Sequence, residues 1–196
     1  MLTRRILVAL LSLTFALPGW AESRLGDDGL HKQDWFLDSF LEMPDDLADA
    51  AAEGRYLMVL IEQAGCPYCR ELHNVNFARS EIVDFIKQHF VVVQLDLWGA
   101  RAVVDFDGEA MPEKDISAKW GVNFTPTTLI FGLEGADPAN FFEAELFRMP
   151  GLLKPFHYLA SLEYVVSGQH NEQPFQRFLQ DKFEELEAQG ITPDVW

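Results

Sequence analysis

The chain has 196 residues, 48% of them hydrophobic and 23% charged, a globular composition that excludes disordered and collagen-like classes. Fifteen Lys and Arg stand against 31 Asp and Glu, and the formal charge of −16 argues against a nucleic-acid or anionic-membrane partner. The length suits one domain with extensions, and two cysteines only two residues apart exclude a disulfide framework.

In chain order, Met1–Ala21 reads as a secretory signal peptide: Arg4 and Arg5 precede an apolar run at Ile6–Leu17, and Gly19 and Ala21 are small residues before a cut. The run is shorter than a membrane span requires. Removing 21 residues and two arginines leaves 175 residues at −18, an exported chain expected in the periplasm with no membrane span. In that compartment a lone Cys-x-x-Cys either sits oxidised or is kept reduced by an electron supply.

Asp34–Glu53 carries two helical patterns broken near Pro44, the second stopped by Gly54. Tyr56–Ile61 is a continuous apolar run, the pattern of a strand covered on both faces. Cys66-Pro67-Tyr68-Cys69 then opens a helix reaching about Asn74, Ser80 is a candidate cap for a helix over Glu81–His89, and Phe90–Leu97 is a second buried strand. This βαβ unit puts the cysteines at the carboxyl end of its first strand, where open α/β sheets hold their chemistry. Asp105-Phe106-Asp107-Gly108 reads as a hairpin turn, because its glycine and the following glutamate are misplaced for a calcium loop. A helix over Glu113–Trp120, a strand over Thr127–Phe131, and a strand over Phe141–Phe147 pairing with it across Gly135–Pro138 follow. Two helices close the chain, Lys154–Val166 and Pro174–Gln189. The second carries an apolar stripe of Phe175, Phe178, Leu179, Phe183 and Leu186 that suits core packing or a partner.

The chemistry points to the cysteines. At a helix start, the first sulfur faces free backbone N–H groups and the positive end of the helix dipole, which favour a thiolate. Cys69, one turn later, is placed to resolve a mixed disulfide; Pro67 suits an early helical position and Tyr68 covers the sulfurs. A c-type haem requires histidine where Arg70 stands, and a zinc site using His73 lacks a fourth ligand. His73 reads better as a solvated helix residue near the site, and no metal or other cofactor is expected. Thr125-Pro126 precedes a strand, either as punctuation or as a cis peptide that presents backbone groups to an extended substrate.

Cys66-Pro67-Tyr68-Cys69 after an apolar strand, with Thr125-Pro126 about 60 residues later, resembles the thioredoxin superfamily. Glu62–Cys69, Leu95–Gly99, Asp105–Gly108, Arg148–Gly151 and Lys154–His157 resemble its periplasmic SoxW-type members, which are associated with bacterial sulfur oxidation. The resemblance implies a three-layer α/β/α thioredoxin-like fold over 54–168, with an N-terminal helical extension (22–53), a loop insertion near 99–112 and a C-terminal helical extension (169–196). It further implies a redox-active Cys66–Cys69 disulfide with Cys66 as nucleophile and Cys69 as resolving thiol. Pro126 is then the cis-proline, with Thr125, Pro67 and Tyr68 against the substrate chain. The expected partners are periplasmic protein disulfides of sulfur-oxidation or cytochrome-maturation systems, with a membrane thiol-electron transporter as reductant. One departure matters: the buried aspartate that thioredoxins carry six residues before the first cysteine is Leu60 here. Glu62 becomes the candidate proton carrier, its alternative being a solvated rim residue. Two other readings of the chain stay open: a disulfide-donating oxidase or isomerase, and a non-catalytic binding or chaperone module.

Overall fold

The valine- and leucine-rich runs form the centre of a four-stranded sheet in the computed structural model, which describes residues 24–132 and 139–193. The proposed leader and the Gly135–Pro138 turn lie outside the described residues. The chain begins with a small antiparallel hairpin, β1 (Arg24–Leu25) and β2 (His31–Lys32), and reaches α1 (Met43–Ala52) through an irregular segment. It continues through β3 (Tyr56–Glu62), α2 (Pro67–Glu71), a π-helical turn at Leu72–Asn76, α3 (Ser80–His89) and β4 (Phe90–Asp96). The hairpin β5 (Ala102–Val104) and β6 (Ala110–Pro112) leads into α4 (Glu113–Lys119) and β7 (Thr127–Phe131). Last come α5 (Phe141–Ala144), β8 (Glu145–Pro150), α6 (Pro155–Val166), a 3-10 turn at Gln169–Asn171 and α7 (Phe175–Ala188).

The main sheet has the order β4-β3-β7-β8, with β3 parallel to β4 and antiparallel to β7, and β7 antiparallel to β8. Alternation along the central strands divides the core into two layers. Leu57, Val59 and Ile61 of β3 point with Val91, Val93 and Leu95 toward Leu47 and Ala50 of α1, Ile116 of α4 and Trp120. Met58, Leu60 and Val92 point the other way, toward Leu72, Phe77, Ile82 and Ile86, and toward Tyr158 and Leu162 of α6. The result is the expected α/β/α arrangement.

Three local expectations are corrected. Only the second helical pattern of Asp34–Glu53 is a helix, because backbone groups before it are engaged elsewhere. Leu37 N–H donates to Val92 O on the β4 edge, Leu41 O accepts from Val104 N–H, and Leu41 has φ of 64°, which no right-handed helix allows. Residues 141–144 form a helical turn rather than strand, since the Asn140 side chain accepts from the N–H groups of Phe142 and Glu143. The antiparallel partner of β7 therefore starts at Glu145. Ser80 is the first helical residue of α3, with Arg79 in the cap position.

The region near 99–112 is anchored by two buried carboxylates. Glu113 accepts from the N–H groups of Asp96 and Arg101 and pairs with the Arg101 guanidinium, and it approaches Gly99 so closely that a Cβ there has no room. Asp105 accepts from Trp120 Nε1 at 3.0 Å and pairs with Lys119 at 2.7 Å. Lys119 also pairs with Asp107 and Glu109, so a lysine ammonium occupies the acidic turn. At the other end of the chain, α7 lies on α6 through half-buried rings, Phe175 and Phe178 against Tyr164 and Phe183 against Phe156.

Candidate redox-active site

The two cysteines form a disulfide where β3 gives way to α2, with Cα atoms 5.3 Å apart. Gly65 (φ of 72°) makes the reversal that delivers the chain to the helix start, and Pro67 fills the first helical position, where its missing N–H costs no hydrogen bond. Cys66 is the N-cap: its Sγ accepts from Cys69 N–H at 3.0 Å. The same N–H, with the positive end of the helix dipole, stabilises a thiolate on Cys66 once the disulfide opens.

The Thr125–Pro126 peptide bond is cis, and its loop lies against the first sulfur. Cys66 Sγ is 3.6 Å from Thr125 O, and Thr125 Oγ1 donates toward it at 3.4 Å. Cys66 is 5% and Cys69 1% exposed, so the disulfide is approached from one side. Around it, Tyr68 (59% exposed), Phe124 (66%) and Trp98 (72%) present aromatic surface to solvent. Tyr68 thus stands largely in solvent, with Trp98 fixed by a hydrogen bond from its Nε1 to Gln63 Oε1. A cavity of about 430 Å³ borders Cys66 on another side, lined by Leu25, Gly29, His31, Ala64, Pro67 and Arg70.

Where β3 ends, a few residues before the disulfide, lies a buried polar network that sequence reasoning saw only in part. Glu62, at the end of β3, is fully buried rather than solvated at a rim. It shares the face of Met58 and Leu60, and its Oε2 accepts from Gln94 Nε2 and, at 3.1 Å, from His73 Nε2. The expectation of a solvated His73 is overturned. The ring is fully buried because the π-helical turn, closed by Phe77 N–H to Leu72 O, carries it inward with Leu72, Asn76 and Phe77. Gln33 Nε2 donates to His73 Nδ1 at 3.1 Å, and the His31 ring lies 5.5 Å from that of His73. Lys32 Nζ donates to Gln94 Oε1 at 2.7 Å, and Gln94 Nε2 also donates to His31 O. Burial holds His31 below its ordinary pKa, helped by His73, and burial pushes the Tyr158 phenol above its own.

Gln33 and Gln94 escaped the sequence reading, because a glutamine carries no motif and becomes informative only beside its partners. Among the described residues no group of three or more His, Cys, Asp or Glu is placed to hold a metal ion. None of the described helices is long and apolar enough to cross a membrane. The arrangement brings together a sulfur at a helix start, a second sulfur three residues on, and a buried carboxylate at the end of the preceding strand.

A thioredoxin-like domain model matches residues 43–166. No curated protein matches the chain. Among solved structures, a thioredoxin-fold protein from Helicobacter pylori is 19% identical with a TM-score of 0.49, covering 68% of this chain and 82% of that one. A putative disulphide-isomerase from Bacteroides thetaiotaomicron is 23% identical with a TM-score of 0.49, covering 69% and 96%. A thioredoxin from Thermus thermophilus is 22% identical at 0.49, covering 64% and 84%.

Proposed function

The chain belongs to the thioredoxin-like domain family and is a thiol–disulfide oxidoreductase, and from that premise we propose that it is an exported reductase of protein disulfides in the periplasm. The observation that carries this reading is the Cys66–Cys69 pair at the start of α2, with Cys66 Sγ held between Cys69 N–H and Thr125. Cys66 as thiolate attacks one sulfur of a client disulfide, a mixed disulfide forms, and the client's other sulfur leaves as a thiolate. Cys69 then attacks Cys66 Sγ, which frees the reduced client and regenerates the Cys66–Cys69 disulfide. Glu62 accepts the proton of the Cys69 thiol in that second step. Thr125 and Pro126 offer their backbone to the client chain, and Pro67 and Tyr68 touch it from the helix side.

The leader-like Met1–Ala21 supports export, and the SoxW-type sequence features support clients in sulfur-oxidation or cytochrome-maturation systems. Each turnover leaves the protein oxidised, so it requires two electrons from a dithiol donor, assigned here to a membrane thiol-electron transporter. The proposed organisation keeps 54–168 as the thioredoxin-like domain, 22–53 and 169–196 being extensions to it.

The test is trapping. Cys69→Ala, expressed with residues 1–21 intact, is expected to accumulate periplasmic partners covalently held by Cys66, released by dithiothreitol and absent from a Cys66→Ser, Cys69→Ala control. A captured set no different from that control overturns the exchange reading. A reduction potential near the −120 mV of strong oxidants, rather than near the −270 mV of thioredoxin, reverses the assigned direction of electron flow.

A further inference from the structure

The buried polar network around Glu62 is built from four separate stretches of chain. Glu62 comes from β3, Gln94 from β4, His73 from the π-helical turn, and Gln33 from the segment before α1. That last segment lies outside the matched residues 43–166. Burying four such groups is costly unless each hydrogen bond has a definite donor and acceptor. Here the directions can be followed. The amide nitrogen of Gln33 faces His73 Nδ1, so Nδ1 accepts and the ring proton sits on Nε2. Nε2–H then donates to Glu62 Oε2, which also accepts from Gln94. Both donors converge on one carboxylate oxygen, and the other, Oε1, is buried with no hydrogen-bond partner. A native protein rarely leaves a buried carboxylate oxygen bare. That bare oxygen is the one open to a proton during the reaction.

We propose that His73 and Gln33 are positioning residues of the redox couple: Gln33 fixes the His73 tautomer, and His73 holds Glu62 with Oε1 free to carry the proton of Cys69. The inference rests on the reading of Glu62 as proton carrier and extends it to two residues, one of them outside the matched domain. When an incoming thiolate bonds to Cys66 Sγ, the Cys66–Cys69 bond breaks with its electron pair on Cys69 Sγ. That sulfur takes its proton from the Glu62 carboxyl, which is left as the carboxylate. In the reverse step Cys69 gives its proton to the Glu62 carboxylate as it attacks the mixed disulfide, and the departing thiolate takes a proton from solvent. His73 lies four residues after Cys69 on the same helical stretch, so the ring that orients Glu62 and the sulfur it serves are held by one piece of backbone.

Other ionisable groups face this pair. His31 stacks near His73, Arg70 acts on His31, Lys32 reaches Gln94, the buried Tyr158 phenol feels Glu62, and Asp96 is the β4 partner of Glu62 in the sheet register. His31 is an ionisable ring beside His73, held below its ordinary pKa by burial, so the measurements belong in a His31→Gln background. The equilibrium constant for oxidation of the full chain is measured in dithiothreitol buffers from pH 5 to 9. Removing a donor from a buried carboxylate favours its protonated form. His73→Leu is therefore expected to move the Glu62-dependent inflection upward by about one pH unit, up to a tenfold change in the constant between the two inflections. His73→Gln, which keeps an amide donor, is expected to restore it.

An unmoved inflection in folded His73→Leu overturns the proposal while leaving Glu62 as proton carrier. An inflection that persists in Glu62→Gln overturns the Glu62 reading itself, and this inference with it. Where the leucine variant does not fold, nitrogen NMR of the unsubstituted ring decides. A proton on Nε2, a bare Nδ1 and an Nε2–H signal that titrates with the inflection support the proposal. A proton on Nδ1 or a signal blind to the inflection overturns it.

Discussion

Cys66 gains its setting from single atoms: one backbone N–H of Cys69, one hydroxyl and one carbonyl of Thr125. The same economy governs stability at Asp105, a buried carboxylate that accepts from Phe106 N–H and Trp120 Nε1 and faces Lys119. Trp120→Phe keeps an aromatic ring against Phe106 and Phe141 while deleting the indole donor together with part of the buried bicyclic ring. A buried acceptor stripped of a partner costs about 1–3 kcal/mol. Urea unfolding of the variant is expected to show a loss of at least that size, the lost ring volume adding to it, with an unchanged denaturant slope, and a wild-type midpoint would refute the role given to this hydrogen bond.

Among the elements, α1 carries an electrostatic load at its start. Asp46 is half-buried and accepts from Ser39 Oγ, and Asp45, Asp49 and Glu42 stand close by. Burial raises its pKa first, and the neighbouring Asp49, Asp45 and Glu42 charges add to the effect against the Ser39 hydrogen bond. A carboxyl whose folded pKa lies above its unfolded value of about 3.8 makes the folded state bind the proton more tightly. Its ionised form therefore opposes folding at neutral pH, and that penalty fades as pH falls through the folded value toward the unfolded one. Asp46→Asn keeps an acceptor for Ser39 and removes the charge. Its Tm is expected to exceed that of the parent at pH 7, with the difference shrinking toward pH 4; a difference that grows on acidification would contradict this account.

At the scale of the whole molecule, the charge of −16 acts on everything that approaches the disulfide. Long-range attraction or repulsion changes association rates and is screened by salt over about 10 Å at 0.1 M. Reduction of the Cys66–Cys69 disulfide by an anionic thiol such as glutathione is expected to speed up as salt rises, and reduction by the cationic thiol cysteamine to slow down. Stopped-flow fluorescence reads both rates, and a common salt response would mean that local groups such as Arg70 outweigh the global field.

Much of this architecture was legible in the order of residues. Tyr56–Ile61 and Phe90–Leu97 declared themselves as central strands because a strand covered on both faces must be apolar throughout. The cysteine spacing, Pro67 and the Asp105–Gly108 turn are local patterns with local causes, and they appear where expected. The failures share a different cause. Residues 34–42 have a helical rhythm, yet their backbone groups bond to β4 and to Val104, partners some 55 to 65 residues away. His73 has the spacing of a solvated helix position, and a single π-helical turn sends it inward to Glu62 and Gln33. The sequence by itself determined the sheet, the helix that opens at Cys66 and the identity of the reactive pair, because each depends on neighbours within a few residues. Only the tertiary structure decided which polar groups gather around Glu62, because a buried hydrogen bond is defined by a partner that folding alone brings near.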